Sequence, residues 1–357
     1  MTTQQQLEET LAALVAIPGL TEDPESCHAI LTHVHEQLAP YGLFIHGDFE
    51  SNNPWLIATT QDTNSPDILL AAHLDVVPAK KYKLEKKGDK LYGRGVYDMK
   101  IAVACYLEFL KSHTDKLSDF NIGFLFTTDE ERGGHSTVDV LATGLRPKVV
   151  LIPDGGDNWH IEERAKGLYH TRLTAHGKTS HGSRPWEGDN AVHRILETLS
   201  SLRQSFPEGD KADATLSVTS FQGGEAINQT PHFATATIDF RSFSKQDLEK
   251  YDAEVTRLAA QNNLDATIIQ TADPLILDKT APAIQSFLTT IKEFTGKDPV
   301  YSESYGGTDG RYFAAYNIPC LIIEPQGGSR HADDEWLLAD DLYRFYQLIE
   351  MWLLKSN

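Results

Sequence analysis

Cysteine is scarce in this sequence. Cys27, Cys105 and Cys320 are the only ones among 357 residues, far apart and odd in number. That spacing excludes a disulfide framework and a cysteine-built zinc site, and it points to a reducing compartment, the cytoplasm. Positive charge is short as well: 32 Lys and Arg stand against 51 Asp and Glu, a formal charge of −19. Nucleic acids and anionic membranes attract clustered cations, so neither is an expected partner. No apolar run approaches the ~18 residues needed to span a bilayer. The opening MTTQQQLEETLAALVAI has no basic region and no small-residue cleavage site, so a secretory signal is not expected. Internal repeats and low-complexity stretches are missing too. What remains is a globular chain of about two domains, in which any metal must be held by His, Asp and Glu.

Two kinds of strand pattern are present. Ile68–Ala72, Ile122–Phe126, Val149–Ile152 and Cys320–Ile323 are short and almost wholly apolar. Strands buried on both faces read this way, as in an α/β sheet covered by helices. Helical periodicity lies between them, at Ile101 to Leu110 and Pro282 to Phe294. At the start, Leu7, Leu11, Leu14 and Val15 share a helix face, with Thr3 and Gln6 placed for a capping box. From Tyr169 to about Thr271 the strands alternate instead, as in Ala234 to Phe240. Their order is strand, helix, strand, strand, helix, strand, which is the ferredoxin-like unit. The predicted organisation is a mixed-sheet α/β catalytic domain of residues 1–165 and 275–357, interrupted by an inserted α+β domain of residues 166–274.

Each apolar strand is followed by polar chemistry. His73-Leu74-Asp75 follows the first, Asp129-Glu130-Glu131 the second and Asp154-Gly155-Gly156 the third. His331 comes shortly after the fourth. Ligand crevices of open α/β sheets lie beyond the carboxyl ends of the strands, so these side chains are expected on one rim. Asp98 stands in a glycine-rich turn that opens a helix. By itself it reads as a helix cap; beside the other four positions it reads as a ligand. Imidazole and carboxylate together suit zinc, with manganese or cobalt as alternatives.

The series HLDVVP, LYGRGVYDMK, TTDEERGG, PDGG and the late His331 resembles the metallopeptidase and deacylase family of acetylornithine deacetylase, succinyl-diaminopimelate desuccinylase and glutamate carboxypeptidase. The resemblance extends through the inserted segment, at HGKTSHGSRP and EAINQTPHFATATIDFR. It implies a zinc-peptidase-like catalytic domain with helices on both faces of the sheet, and an inserted dimerisation, or lid, domain. It implies two divalent metal ions, with Asp98 shared between them. His73 and Asp154 complete one site, and Glu131 and His331 the other. Asp75 is implied to orient His73 through its second ring nitrogen. Glu130 is implied to be the general base, working with a metal-bridging hydroxide. A cis peptide between Asp98 and Met99 belongs to the same pattern.

The resemblance also assigns His181 to a partner subunit's active site, where it stabilises the oxyanion, and so implies a homodimer. Asn228 and Arg241 match positions that hold a substrate carboxylate, and Gly307 and Thr308 lie in a glycine-rich loop beside the site. The implied activity is metal-dependent hydrolysis of an amide bond in an N-acyl amino acid or small peptide. Two departures bear on substrate: Asp154 replaces the Glu more frequent in desuccinylases and deacetylases, and Lys166-Gly167 replaces the desuccinylase Arg-Gly. Both weaken a succinyl substrate and leave deacylase, dipeptidase and carboxypeptidase open. A two-metal phosphoesterase and a catalytically silent binding protein are the readings from other classes. The first lacks further basic residues near the rim, and the second lacks a missing ligand or base.

Overall fold

The computed structural model describes residues 2–207 and 213–356. Two compact units emerge: residues 1–163, 276–304 and 308–357 form one, and residues 164–275 with 305–307 the other.

The first unit is built on a six-stranded mixed sheet. Its order is Phe44–Asp48, Trp55–Thr59, Ile122–Thr127, Ile68–His73, Val150–Ile152, Cys320–Ile322. The last four strands run parallel, while the Phe44–Asp48 and Trp55–Thr59 hairpin is antiparallel and closes one edge. All six residues of Ile68–His73 and of Ile122–Thr127 are buried. Successive side chains point to opposite faces, so both faces of these strands are covered. Lys100–Ser112 packs on Ile68–His73, and Pro24–Leu38 on Trp55–Thr59. Cys27, Cys105 and Cys320 are free and buried.

Local signals explain several helix ends. The first helix, Thr3–Ala16, does start with a capping box, but the pair is Thr2 with Gln5. Thr2 takes the extended backbone that an N-cap requires, which moves the cap one residue ahead of the predicted Thr3 and Gln6. Asp23 caps Pro24–Leu38 by accepting the N–H groups of Glu25 and Ser26, with Pro24 at the first helical position.

The second unit is a four-stranded antiparallel sheet ordered Ala214–Gly223, Phe233–Ser242, Gly167–His176, Asp265–Ala272, with helices Ala191–Ser205 and Lys245–Gln261. Ala234, Ala236, Ile238 and Phe240 are buried while the residues between them are partly exposed, so one sheet face meets the helices. Phe240 stacks on Tyr251 with centroids 4.3 Å apart. Each fully buried aromatic of this kind stabilises the unit by about 1.5–3 kcal/mol.

Candidate metal centre

The parallel strands bring their terminal residues together at one end of the first unit's sheet. His73 is the last residue of its strand. Glu130 and Glu131 form a 3-10 turn three residues beyond Thr127, and Asp154 lies two residues beyond Ile152. His331 sits at φ 61°, a left-handed backbone uncommon outside glycine. Asp98 precedes the helix Lys100–Ser112, and its peptide bond to Met99 is cis.

Two groups of ligand atoms result. Those of His73, Asp98 and Asp154 lie within 4.8 Å of one another, and so do those of Asp98, Glu131 and His331. Asp98 belongs to both. One of its oxygens is 3.1 Å from His73 Nε2, and the other is 3.3 Å from His331 Nε2. His331 Nε2 is also 3.1 Å from a Glu131 oxygen. Glu130 lines a pocket with His73, Asp154, Thr137 and Asp309.

The charges of this cluster test whether cations fit. Burial, reinforced by Asp98, pushes the Asp154 carboxyl up to about 7. Burial with Asp154 and Asp309 raises Glu130 well above the usual range, and burial also raises Glu131. For Asp98, burial is outweighed by hydrogen bonds from His331 and His73, which hold it below the usual carboxylate range. Arg330, 3.7 Å from Asp154, is the positive charge beside that carboxylate. Three carboxylates and two imidazoles, with His73, Asp98 and Asp154 buried, Glu131 half-buried and His331 exposed, are a donor set that suits divalent cations such as zinc.

Asp75 faces His73 with two of its oxygens. His73 Nδ1 meets the main-chain carbonyl of Asp75 at 2.9 Å, and the Asp75 carboxylate stands 3.5 Å from that nitrogen. The carboxylate also accepts the backbone N–H groups of Glu130 and Glu131, each at 3.2 Å. It therefore holds the turn that carries both glutamates.

The other predicted residues divide between the units. Thr308 is buried in the first unit, and its hydroxyl accepts the Gly310 N–H. Gly307, His181, Asn228 and Arg241 belong to the second. There His181 and Asn228 lie on two exposed loops joined by a bridge between His181 and Gln229, and by the Gly182 N–H donating to Asn228 carbonyl at 2.7 Å. Arg241 Nε donates to both Asp239 oxygens, at 3.0 and 3.1 Å, and its guanidinium reaches the Tyr305 carbonyl at 3.2 Å.

A model of peptidase family M20/M25/M40 matches residues 69–355. The chain belongs to that family. It is a metal-dependent hydrolase of amide bonds. Among curated relatives, the M20-family chain is 26% identical over 366 residues to a succinyl-diaminopimelate desuccinylase of Legionella pneumophila, covering 94% of this chain and 95% of the relative. It is 25% identical over 317 residues to the desuccinylase of a Sulfurovum species, covering 83% and 85%. Among solved structures, a Staphylococcus aureus tripeptidase superposes with a TM-score of 0.81 at 20% identity, covering 98% of this chain and 97% of that one. A metallo-carboxypeptidase of Sulfolobus solfataricus superposes at 0.76 and 17% identity, covering 99% of each chain. These likenesses establish the two-part α/β fold. No helix among the described residues is long and apolar enough to cross a membrane.

Sequence patterning missed three charged residues beside the centre, two of them buried and Arg330 half-buried. Arg330 pairs with the buried Glu324, and Glu335 accepts the N–H of Asp98 at 3.1 Å. Their one advance signal is proximity to His331, because an isolated charge carries no periodicity.

Proposed function

We propose that this chain is a dinuclear zinc deacylase or exopeptidase that acts in the cytoplasm as a homodimer. The observation that carries the metal assignment is the division of the two Asp98 oxygens between His73 and His331. A carboxylate set in this way can serve two cations at once. His73, Asp154 and Asp98 would hold one ion; Glu131, His331 and Asp98 would hold the other. Cobalt or manganese suits the same donors. Three buried free thiols accord with a reducing compartment.

When bound, the ions supply Lewis acidity to the scissile carbonyl and to the attacking water. Glu130 takes the proton from that water and returns it to the departing amine nitrogen. Asp75 keeps Glu130 in place by accepting its backbone N–H. His181 would come from the partner subunit. Its Nδ1 lies 2.8 Å from the Ser183 hydroxyl and 3.2 Å from the Ser183 backbone nitrogen. Its other ring nitrogen, Nε2, would donate to a developing oxyanion. Arg241 and Asn228 would receive the substrate carboxylate, with Gly307 and Thr308 beside it. Lys166 is buried 5.4 Å from the Phe243 ring and 5.3 Å from the Tyr305 ring. Lysine is a point charge without the planar fork of arginine, so a succinyl carboxylate is a poor match here.

The deciding experiment compares N-acetyl amino acids, N-succinyl-diaminopimelate and unblocked dipeptides as substrates of zinc-reconstituted protein. Chelator-sensitive release of a free amino acid from the first or third class is expected. Turnover of the succinyl substrate alone would overturn the substrate assignment. Inertness toward all three would overturn the enzymatic one.

A further inference from the structure

Glu335 lies four residues past His331, where the chain enters the strand Trp336–Leu338. Its side chain is 1% exposed, and four donors converge on its carboxylate. One oxygen accepts from Arg94 Nη1 at 2.7 Å and from the Gly95 N–H at 3.0 Å. The other accepts from the Tyr97 N–H at 3.0 Å and the Asp98 N–H at 3.1 Å. The Gly93 N–H adds a bond to the Glu335 carbonyl at 3.2 Å. Every donor belongs to residues 93–98, the glycine-rich turn that ends in Asp98. Gly95 has a φ of 80°, so the turn follows neither helix nor strand, and its inward N–H groups need acceptors from elsewhere. A carboxylate offers about four lone-pair sites, one for each donor.

We infer that Glu335 is the positioning residue of the shared carboxylate: it clamps the Asp98 turn to the segment that carries His331. The inference rests on the reading of Asp98 as a ligand common to both ions. Pairing of Lys90–Tyr92 with Trp336–Leu338 brings the two segments alongside each other. The Glu335 carboxylate then sets the turn residue by residue, up to Asp98 itself. Displacing the turn alters the 3.3 Å approach of Asp98 to His331 and the 3.1 Å approach to His73 together. An amide cannot replace this carboxylate, because its NH2 would face donors that already need an acceptor.

The test uses the full chain with Mn2+ and Zn2+ as probes. Calorimetry gives stoichiometry and affinity, and electron paramagnetic resonance of the Mn2+-loaded protein reports coupling between neighbouring ions. Wild type is expected to bind two ions per chain with a coupled signal. Glu335→Gln is expected to bind about 10–100-fold more weakly and to lose most of that coupling. Leu348→Ala, a core change in the terminal helix, controls for simple destabilisation; it should lower Tm while keeping affinity and coupling. Glu335→Asp keeps the charge but shortens the reach, and it is judged by the same loss should Glu335→Gln not fold. Wild-type affinity and coupling in the Glu335 variants would overturn the positioning role. A wild type that binds fewer than two ions would instead overturn the shared-ligand reading of Asp98, and the inference with it.

Discussion

The ring of His73 turns its Nδ1 toward the main-chain carbonyl of Asp75 at 2.9 Å, while the Asp75 carboxylate, 3.5 Å from the same nitrogen, accepts the Glu130 and Glu131 N–H groups. One residue thus serves two strand ends. Its carbonyl orients an imidazole, and its carboxylate holds the turn of two glutamates.

Asp75→Asn keeps the carbonyl but loses one of the two carboxylate acceptors. Metal content should stay near wild type, while kcat falls about 10–100-fold, the range usual for residues that orient metal ligands. Metal analysis with steady-state kinetics checks this, and an unchanged kcat would count against it.

Glu130→Gln removes the proton carrier without removing a ligand. Turnover should fall by about 10²–10⁴-fold, the usual worth of a positioned acid–base group, with metal content unchanged. Substantial residual activity would sink the assignment of Glu130 as base.

Burial pushes Asp154 up to about 7, with Asp98 adding to it, and Glu162 up to about 8, with Asp154 adding to it. The Asp75 and Asp98 carboxylates beside it outweigh burial and raise His73 as well. A folded-state value above the unfolded one gives stability that is complete below the unfolded value and lost as pH rises through the folded one. For the two acids this loss runs from about pH 4 to 8. Metal-free protein should therefore melt at a lower temperature at pH 8.5 than at pH 5.5. Zinc requires ionised carboxylates, so its stabilising effect should grow over the same range. Thermal scans with chelator and with zinc check both signs; a chelated Tm that rises with pH would contradict them.

Lys100 is fully buried, and its Nζ donates to the carbonyls of Leu14, Ile17 and Pro18 at 3.1, 2.7 and 2.9 Å. Lys100→Met strands these acceptors at the end of the first helix. A loss of at least about 1–3 kcal/mol is expected, since one unsatisfied buried polar group costs that much. It should be read as a lower urea midpoint, and an unmoved midpoint would show that water replaces the ammonium.

The proposed sharing of His181 between subunits predicts complementation. His181→Ala and Glu130→Gln chains, each inactive alone, should regain activity when mixed, because a mixed dimer contains one intact site. Absence of recovery after subunit exchange has been verified by mass spectrometry would refute a shared site.

Much of the fold is legible because burial leaves a local trace. Ile68–Leu69–Leu70 and Phe124–Leu125–Phe126 read as strands covered on both faces, and Ala234 to Phe240 alternates as a half-covered strand must. The polar residues that follow the parallel strands, from His73 to Asp154, inherit a common rim from chain direction alone. That much the sequence by itself determines, since side-chain period and strand polarity are properties of a short segment. The double duty of Asp75, the split of the Asp98 oxygens and the approach of Glu335 have no such trace. Each depends on which lone pair of a buried carboxylate meets which donor, and those donors come from segments far apart in the chain. Only tertiary packing decides that, because a hydrogen bond is made or lost over a few tenths of an ångström, far finer than a hydrophobic pattern can specify.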